Sequence, residues 1–248
     1  MIETEVRGRT LVVTMCREAK RNAIDAEMAA GLDAALNRLD DDPELWIGVL
    51  TGGPRMFCAG TDLRDGSGAP TERGGPYGII RRDRTKPLIA AVEGIALGGG
   101  FEILLACDLV VAATNARLGL PEAKRGVIAS CGALFRTQRA LPLNIAKELL
   151  IGCEPMGAPR AHALGLVNRL TEPGAALEAA VAWAEVICSN APVSVRESLR
   201  AINRSFAAAD AECWPYTAEA VEVVTASADM AEGVQAFLGR REPVWGGR

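Results

Sequence analysis

The stretch Lys86-Pro-Leu-Ile-Ala-Ala-Val-Glu-Gly-Ile-Ala-Leu-Gly-Gly-Gly-Phe-Glu-Ile-Leu-Leu-Ala-Cys-Asp108 is the most informative part of this chain. Its apolar run Leu88–Val92 predicts a buried strand, and the three glycines at 98–100 lead at once into a helix with Glu102 in its first turn. Such glycines let backbone N–H groups point at a ligand, and the helix N-terminus adds positive potential. Neither a dinucleotide fingerprint nor a P-loop lysine is present, so a carbonyl oxygen that becomes an oxyanion fits better than a diphosphate. A tight turn with close helix packing explains this segment equally well.

Two carboxylates lie in apolar surroundings. Glu102 is flanked by Phe101 and Ile103, and Glu122 ends the apolar run of Leu118-Gly-Leu-Pro-Glu-Ala-Lys-Arg-Gly126. Desolvation raises the pKa of such groups toward neutrality, which suits a general acid or base. His162, the only histidine, is interpreted as a structural residue at a helix end, so the two glutamates are the best acid–base pair in the sequence. The alternative is that both carboxylates only complement helix N-termini.

Outward from this centre, the chain first alternates strands and helices and then becomes helical. The alternation predicts an α/β core, and the glycine-, proline- and charge-rich segment Arg64–Gly78 is interpreted as a mobile loop. The predicted strands are Thr10–Met15, Trp46–Thr51, Leu88–Val92, Leu109–Ala113 and Leu166–Leu170. The predicted helices are Asp25–Leu39, Gly100–Cys107, Ile145–Ile151, Ala158–Leu164, Ala175–Ser189, Val193–Ala208, Ala218–Ala228 and Met230–Leu238.

Composition excludes several classes of function. A net charge of -4 leaves no basic surplus for nucleic acid. The densest basic cluster, Arg81, Arg82 and Arg84, is interpreted as a solvated loop, with contact to a phosphorylated small molecule as the alternative. The longest apolar tract, Leu88–Ala113, is too interrupted by charge and glycine to span a membrane. Seven cysteines without a CxxC pair predict reduced thiols, no metal site and, with no secretory signal, a cytoplasmic protein.

A second glycine-containing turn, Phe57-Cys-Ala-Gly-Thr-Asp-Leu63, follows the strand Trp46–Thr51. Together with the glycine run and the two glutamates, in this order and spacing, it resembles the crotonase (enoyl-CoA hydratase/isomerase) family over almost the whole chain. The resemblance implies a ββα spiral core at residues 1–190 and a C-terminal helical oligomerisation segment at 191–248. It also implies an acyl-CoA substrate, no cofactor beyond that coenzyme A, and a homotrimer or homohexamer.

The resemblance also assigns roles to individual residues. Thr61 and Gly99 would supply the two N–H donors of an oxyanion hole, and Glu102 and Glu122 would be the catalytic glutamates that add or remove water across the C2–C3 bond. The residues expected to contact coenzyme A are Ala23 in Lys20-Arg-Asn-Ala-Ile24, Ala59, Asp62 and Leu63 in the second turn, and Phe237 and Arg240 of a neighbouring subunit.

Within the family the chain is most similar to the carnitinyl-CoA dehydratase subgroup, through Gly100-Phe-Glu102, Leu120-Pro-Glu-Ala-Lys124 and the tail Ala236–Arg248. One departure concerns Gly126-Val-Ile-Ala-Ser-Cys-Gly-Ala133, where Ser130 and Ala133 replace glycines of the family pattern. The N–H at position 130 is expected to help hold the catalytic water.

Rival functions stay open at this stage. A 3,2-enoyl-CoA isomerase would need only Glu122, and a thioester-cleaving enzyme could share the fold. A non-catalytic acyl-CoA-binding protein is a rival of another class, although it would have no reason to bury two carboxylates. An NAD-dependent oxidoreductase is the most distant alternative, because the glycine fingerprint is missing.

Overall fold

The computed structural model describes residues 1–247, which form nine strands and eight α-helices. The strands are β1 Ile2–Arg7, β2 Thr10–Met15, β3 Ile47–Thr51, β4 Leu88–Val92, β5 Ile95–Leu97, β6 Leu109–Ala113, β7 Arg117–Gly119, β8 Met156–Gly157 and β9 Arg169–Thr171. The helices are α1 Ala26–Asp41, α2 Gly99–Ala106, α3 Ala133–Ala140, α4 Leu143–Lys147, α5 Ala158–Ala163, α6 Ala176–Cys188, α7 Pro192–Thr225 and α8 Ala228–Gly239.

The strands form two sheets. The larger has six strands in the order β1-β2-β3-β4-β6-β9, and all neighbours are parallel except the hairpin of β1 and β2. The smaller has the order β5-β7-β8, with β5 and β7 parallel. The chain passes from the larger sheet to the smaller one between β4 and β5, and the glycine run follows β5 at the start of α2.

Both faces of the central strands are buried, as their apolar runs predict. One face packs against α6, through the small side chains of Ala176, Ala180 and Ala184. The opposite face packs against α1, whose buried residues recur at helical spacing. The predicted N-cap of this helix is confirmed, because the Asp25 carboxylate accepts the Met28 N–H at 2.9 Å.

The C-terminal prediction needs one correction. The single helix α7, Pro192–Thr225, takes the place of the two helices predicted at Val193–Ala208 and Ala218–Ala228, and it continues through Pro215. Proline removes one helical hydrogen bond, but the neighbouring Trp214 packs edge-on against Phe135 at 5.0 Å between ring centroids, and this contact anchors the helix to the core.

The strand predicted at Leu166–Leu170 is formed instead by Arg169–Thr171. Leu166 and Val167 are buried in the turn after α5, where the Val167 carbonyl is 2.7 Å from His162 Nδ1. The strands β1, β5, β7 and β8 were not predicted. The first is a polar edge strand, and the other three are only two or three residues long. No helix in residues 1–247 is long and apolar enough to cross a membrane.

Candidate active site

Three chain turns surround one cleft of about 230 Å3. They are the Phe57–Leu63 turn, the glycine run that opens α2, and the short 3-10 turn Glu122–Arg125. A bridge between Cys58 and Ala96 joins the first turn to β5, and the pairing of β5 with β7 brings in the third. The residues that line the cleft are Ala59, Gly60, Thr61, Leu63, Tyr77, Gly98, Gly99, Glu102, Pro121, Glu122, Arg125, Val127, Ile128, Ser130, Val221, Val224, Thr225 and Met230.

Two backbone N–H groups in the cleft are free to bind a ligand. Within residues 1–247 neither the Thr61 N–H nor the Gly99 N–H has a protein acceptor: the bridge of Thr61 to Ile24 uses the Gly60 carbonyl and the Asp62 N–H, and Gly99 is the first residue of α2. Gly60 brings the two turns together: its φ is +99°, and a Cβ atom there would lie 3.1 Å from the Gly99 nitrogen. The arrangement therefore offers two neighbouring donors to one oxygen.

Glu102 lies beneath these donors, in the first turn of α2. Its side chain is buried, and one carboxylate oxygen accepts the N–H groups of Cys131 at 2.7 Å and Ala133 at 3.1 Å. Burial raises the pKa of Glu102 to about 8, the negative charge of Glu122 acts in the same direction, and the two N–H donors oppose it. The carboxyl group can thus carry or release a proton near neutral pH.

Glu122 approaches the cleft from the opposite turn. A Cβ atom at Gly98 would lie only 3.2 Å from its Oε1 atom, so the glycine run leaves room for this carboxylate. Within residues 1–247 its Oε2 atom is buried without a hydrogen-bond partner. Burial raises the pKa of Glu122 to about 7. An unpartnered buried oxygen next to a cleft is free for substrate or water.

Paired carboxylates of raised pKa beside two free N–H donors are an arrangement that can carry out general acid–base chemistry next to a developing oxyanion. Comparison with known proteins agrees with this class. The family model described as enoyl-CoA hydratase/isomerase matches residues 5–248, and the chain belongs to this family.

Individual relatives support the assignment along the whole chain. An enoyl-CoA hydratase of Mycobacterium tuberculosis, EchA19, is 37% identical and aligns with 96% of this chain and 94% of its own. A carnitinyl-CoA dehydratase of Salmonella typhimurium is also 37% identical and aligns with 97% of this chain and 96% of its own. The solved structure of EchA1_1 from Mycobacterium paratuberculosis is 42% identical and covers 100% of this chain and 98% of its own, with a TM-score of 0.94. The predicted crotonase fold is confirmed by this likeness.

The structure gathers six of the predicted residues at the cleft, namely Ala59, Thr61, Leu63, Gly99, Glu102 and Glu122. Asp62 and Ala23 lie beside it, joined by Arg17, whose guanidinium donates to the Asp62 carboxylate at 2.7 Å and to the Ala23 carbonyl at 3.0 Å. That guanidinium holds the pKa of Asp62 below its usual range. The predicted contacts of Asp62 and Ala23 with coenzyme A stay predictions.

Phe237 and Arg240 lie at the end of α8, outside the lining of their own subunit's cleft. Phe237 is 45% exposed, and the Arg125 guanidinium is stacked 4.8 Å from its ring centroid. An exposed aromatic ring there is compatible with the predicted role at a neighbouring subunit, which stays a prediction.

Sequence reasoning missed several cleft residues. Tyr77 comes from the segment interpreted as a loop, Arg125 from the turn of Glu122, and the last wall from α7 and α8. No local motif marks them, because their position depends on long-range packing. The wall contributed by the two C-terminal helices consists of Val221, Val224, Thr225 and Met230.

The basic cluster was also misread. Arg82 is almost fully buried and pairs with Asp33 and Asp40, and Arg84 is buried against Asp108 at 2.6 Å. Arg81 stacks on Trp214 at 4.1 Å. Arg82 and Arg84 are therefore structural cations, and only Arg81 is exposed as a solvated loop would predict.

No group of three or more histidine, cysteine or acidic side chains in residues 1–247 is placed to hold a metal ion. Seven cysteine thiols are free in the structure.

Proposed function

We propose that this protein is an enoyl-CoA hydratase or dehydratase, a hydro-lyase that adds water reversibly across the C2–C3 bond of an acyl-CoA thioester. The observation that supports it best is the placement of Glu102 and Glu122, both with raised pKa, around one cleft with the free N–H groups of Thr61 and Gly99. Relatives named hydratase and dehydratase match the chain along nearly its full length.

In the proposed reaction the two N–H groups bind the thioester oxygen of a 2-enoyl-CoA. Water attacks C3, the π electrons move toward the thioester oxygen, and the enolate that forms is stabilised by both donors. Glu102 takes the proton of the water, and Glu122 delivers its own proton to C2. One proton is gained and one is lost by the pair, and a proton transfer between the two glutamates restores the starting state. Dehydration follows the same steps in reverse.

The pair suits this reaction because it holds one proton over part of the neutral range. With pKa values near 7 and 8, the pair as a whole carries one proton between those pH values; that proton rests mainly on Glu102, the group of higher pKa, and must pass to Glu122 before water attacks. Hydration needs one base and one acid at the same time, so the proposed activity should be greatest in this window.

The backbone N–H of Ser130 is placed to make a third contact to the catalytic water, beside those of Glu102 and Glu122. It lines the cleft, and within residues 1–247 its N–H has no protein acceptor. The next residue, Cys131, donates to Glu102 at 2.7 Å, so the N–H of Ser130 lies one residue from the bound carboxylate. We propose that the Ser130 hydroxyl in addition helps to select the acyl group, with carnitinyl-CoA as the candidate suggested by the Salmonella relative.

The assembly that we propose is a homotrimer or a hexamer of two trimers. Large apolar side chains are exposed on α7 and α8, including Ile202 at 57%, Val223 at 67% and Phe237 at 45%. Exposed apolar side chains of this size along two helices suit a subunit contact. We propose that Phe237 and Arg240 then reach the coenzyme A of the neighbour, that Ala23, Ala59, Asp62 and Leu63 contact the coenzyme A within the subunit, and that no separate cofactor is needed.

The proposed location is the cytoplasm, because seven free thiols suit a reducing compartment.

The test is to incubate the protein with crotonyl-CoA and with crotonobetainyl-CoA and to follow the absorbance of the conjugated enoyl thioester. Loss of absorbance at a rate proportional to protein concentration supports hydration. A product whose double bond has moved to C3–C4 without uptake of water would instead indicate an isomerase.

A further inference from the structure

Tyr77 contacts both residues that carry the free N–H groups, Thr61 and Gly99. It is buried, lines the cleft, and has a φ of +56°. Its hydroxyl oxygen lies 2.8 Å from the Thr61 Oγ1 atom. A Cβ atom at Gly99 would lie 2.7 Å from the same hydroxyl oxygen, so the phenol touches the other donor residue directly.

The backbone at Tyr77 is held in a conformation that a bulky residue rarely adopts. A left-handed φ at a non-glycine residue costs on the order of 1–3 kcal/mol and persists where the surroundings impose it. Here the turn is closed by paired hydrogen bonds between Thr71 and Gly75, and the Thr71 hydroxyl donates to Asp33 of α1 at 2.8 Å. Gly78 packs so tightly that a Cβ atom there would lie 2.4 Å from the Ala29 carbonyl oxygen.

The hydroxyl itself needs an explanation. The side chains of the other buried aromatic residues, Phe57, Phe101 and Phe135, carry no polar atom. A buried hydroxyl group is costly unless it is hydrogen-bonded. The Tyr77 hydroxyl shares a hydrogen bond with the Thr61 hydroxyl, in which either group can donate. Burial raises the pKa of Tyr77 well above its ordinary value, so the phenol stays protonated at neutral pH.

Resting on the proposed function, we infer that Tyr77 is a positioning residue of the oxyanion hole. Its ring packs against Gly99 and its hydroxyl holds Thr61, so one rigid side chain fixes the spacing of the two N–H donors. The strained backbone of Tyr77 places its side chain where it can hold the two N–H groups at the spacing that fits the oxyanion and not the ground-state carbonyl oxygen.

The main test is Tyr77→Phe, which keeps the ring and removes only the hydrogen bond to Thr61. We expect kcat on crotonyl-CoA to fall about ten- to a hundredfold, with KM changed by less than about threefold, because misplaced donors lose mainly transition-state stabilisation. Thr61→Val should give a similar loss, and the double variant should be little worse than either single one, since both remove the same bond. Thr61→Ser restores the hydroxyl and should recover most of the activity.

A spectroscopic signal separates positioning from general stability. We would bind 4-(dimethylamino)cinnamoyl-CoA, whose absorbance moves to longer wavelength when its carbonyl group is polarised. Tyr77→Phe and Thr61→Val should reduce this shift, while Thr61→Ser should keep it. Tyr216→Phe is the matched control, because Tyr216 is 71% exposed on α7, and it should behave as the wild type.

The outcomes distinguish this inference from the proposed function. A wild-type protein that neither polarises the probe nor hydrates crotonyl-CoA refutes the function, and the inference with it. A competent wild type with unchanged kcat and unchanged probe spectrum in Tyr77→Phe overturns the inference alone. If Tyr77→Phe does not fold, the comparison of Thr61→Val with Thr61→Ser decides in the same way.

Discussion

Replacing Glu102 with glutamine should make the protein more stable at alkaline pH while abolishing most of its activity. The buried carboxyl group has a pKa of about 8, against an ordinary value of 4.5. Because the folded state prefers the protonated form, this group favours folding fully below pH 4.5, and its contribution is lost as the pH rises through 8. Glutamine keeps an oxygen for the Cys131 and Ala133 N–H groups but cannot ionise.

The magnitude follows from the shift in pKa. Each pKa unit corresponds to about 1.4 kcal/mol, so the wild type should lose on the order of 5 kcal/mol relative to Glu102→Gln between low and high pH. At pH 5 the two proteins should differ by less than about 1 kcal/mol, since an amide then replaces a carboxylic acid of similar shape. At pH 9 the variant should melt roughly 10–20 °C above the wild type.

The assay is thermal unfolding of both proteins from pH 5 to pH 9, followed by circular dichroism, with urea titrations at the two ends to obtain the free energy of unfolding. A difference in stability that does not change with pH would refute the reasoning. It would show that Glu102 is ionised at little cost in the folded protein, and the argument for its acid–base role would lose its physical basis.

Three other predictions address the site and the assembly. Glu102→Gln and Glu122→Gln should each lower turnover by roughly two to four orders of magnitude, while CoA binding measured by calorimetry stays nearly unchanged. The control is Glu93→Gln, because Glu93 is a buried glutamate outside the cleft, and this variant should retain turnover within about threefold. Full activity in either active-site variant would remove that residue from the mechanism. Light scattering at micromolar concentration should give the mass of a trimer or hexamer of the 26.1 kDa chain, and a monomer would contradict the proposed contacts of α7 and α8. Ser130→Gly should lower kcat/KM on carnitinyl-CoA more than on crotonyl-CoA, and equal effects would mean that position 130 does not select the acyl group.

The parts of the fold that sequence predicts well are those with a strong local signal. The apolar runs of β4 and β6 and the capped, periodic α1 were placed correctly because each pattern has only one good structural solution. The two glutamates are predicted from carboxylates in apolar surroundings, and the proposed donor roles of Thr61 and Gly99 come from the resemblance of their glycine turns to the family. The structure brings all four residues to one cleft.

What sequence could not predict depends on distant contacts. Pro215 signals a helix end, yet the packing of Trp214 holds α7 continuous through it. Tyr77 lies in a segment whose composition indicates a loop, and its value to the site arises only because that turn packs against α1. Arg82 and Arg84 pair with partly buried carboxylates on other elements, which no local pattern reveals.

The central claim is that the protein adds water across the C2–C3 bond, and the most direct measurement is hydration of crotonyl-CoA in D2O followed by mass spectrometry and NMR of the product. The account predicts that the wild type forms 3-hydroxybutyryl-CoA with one deuterium at C2. The Glu122→Gln variant should form neither this product nor the accompanying change in absorbance. A folded wild-type protein that binds the thioester but returns it unchanged, or returns only a shifted double bond, would contradict the account.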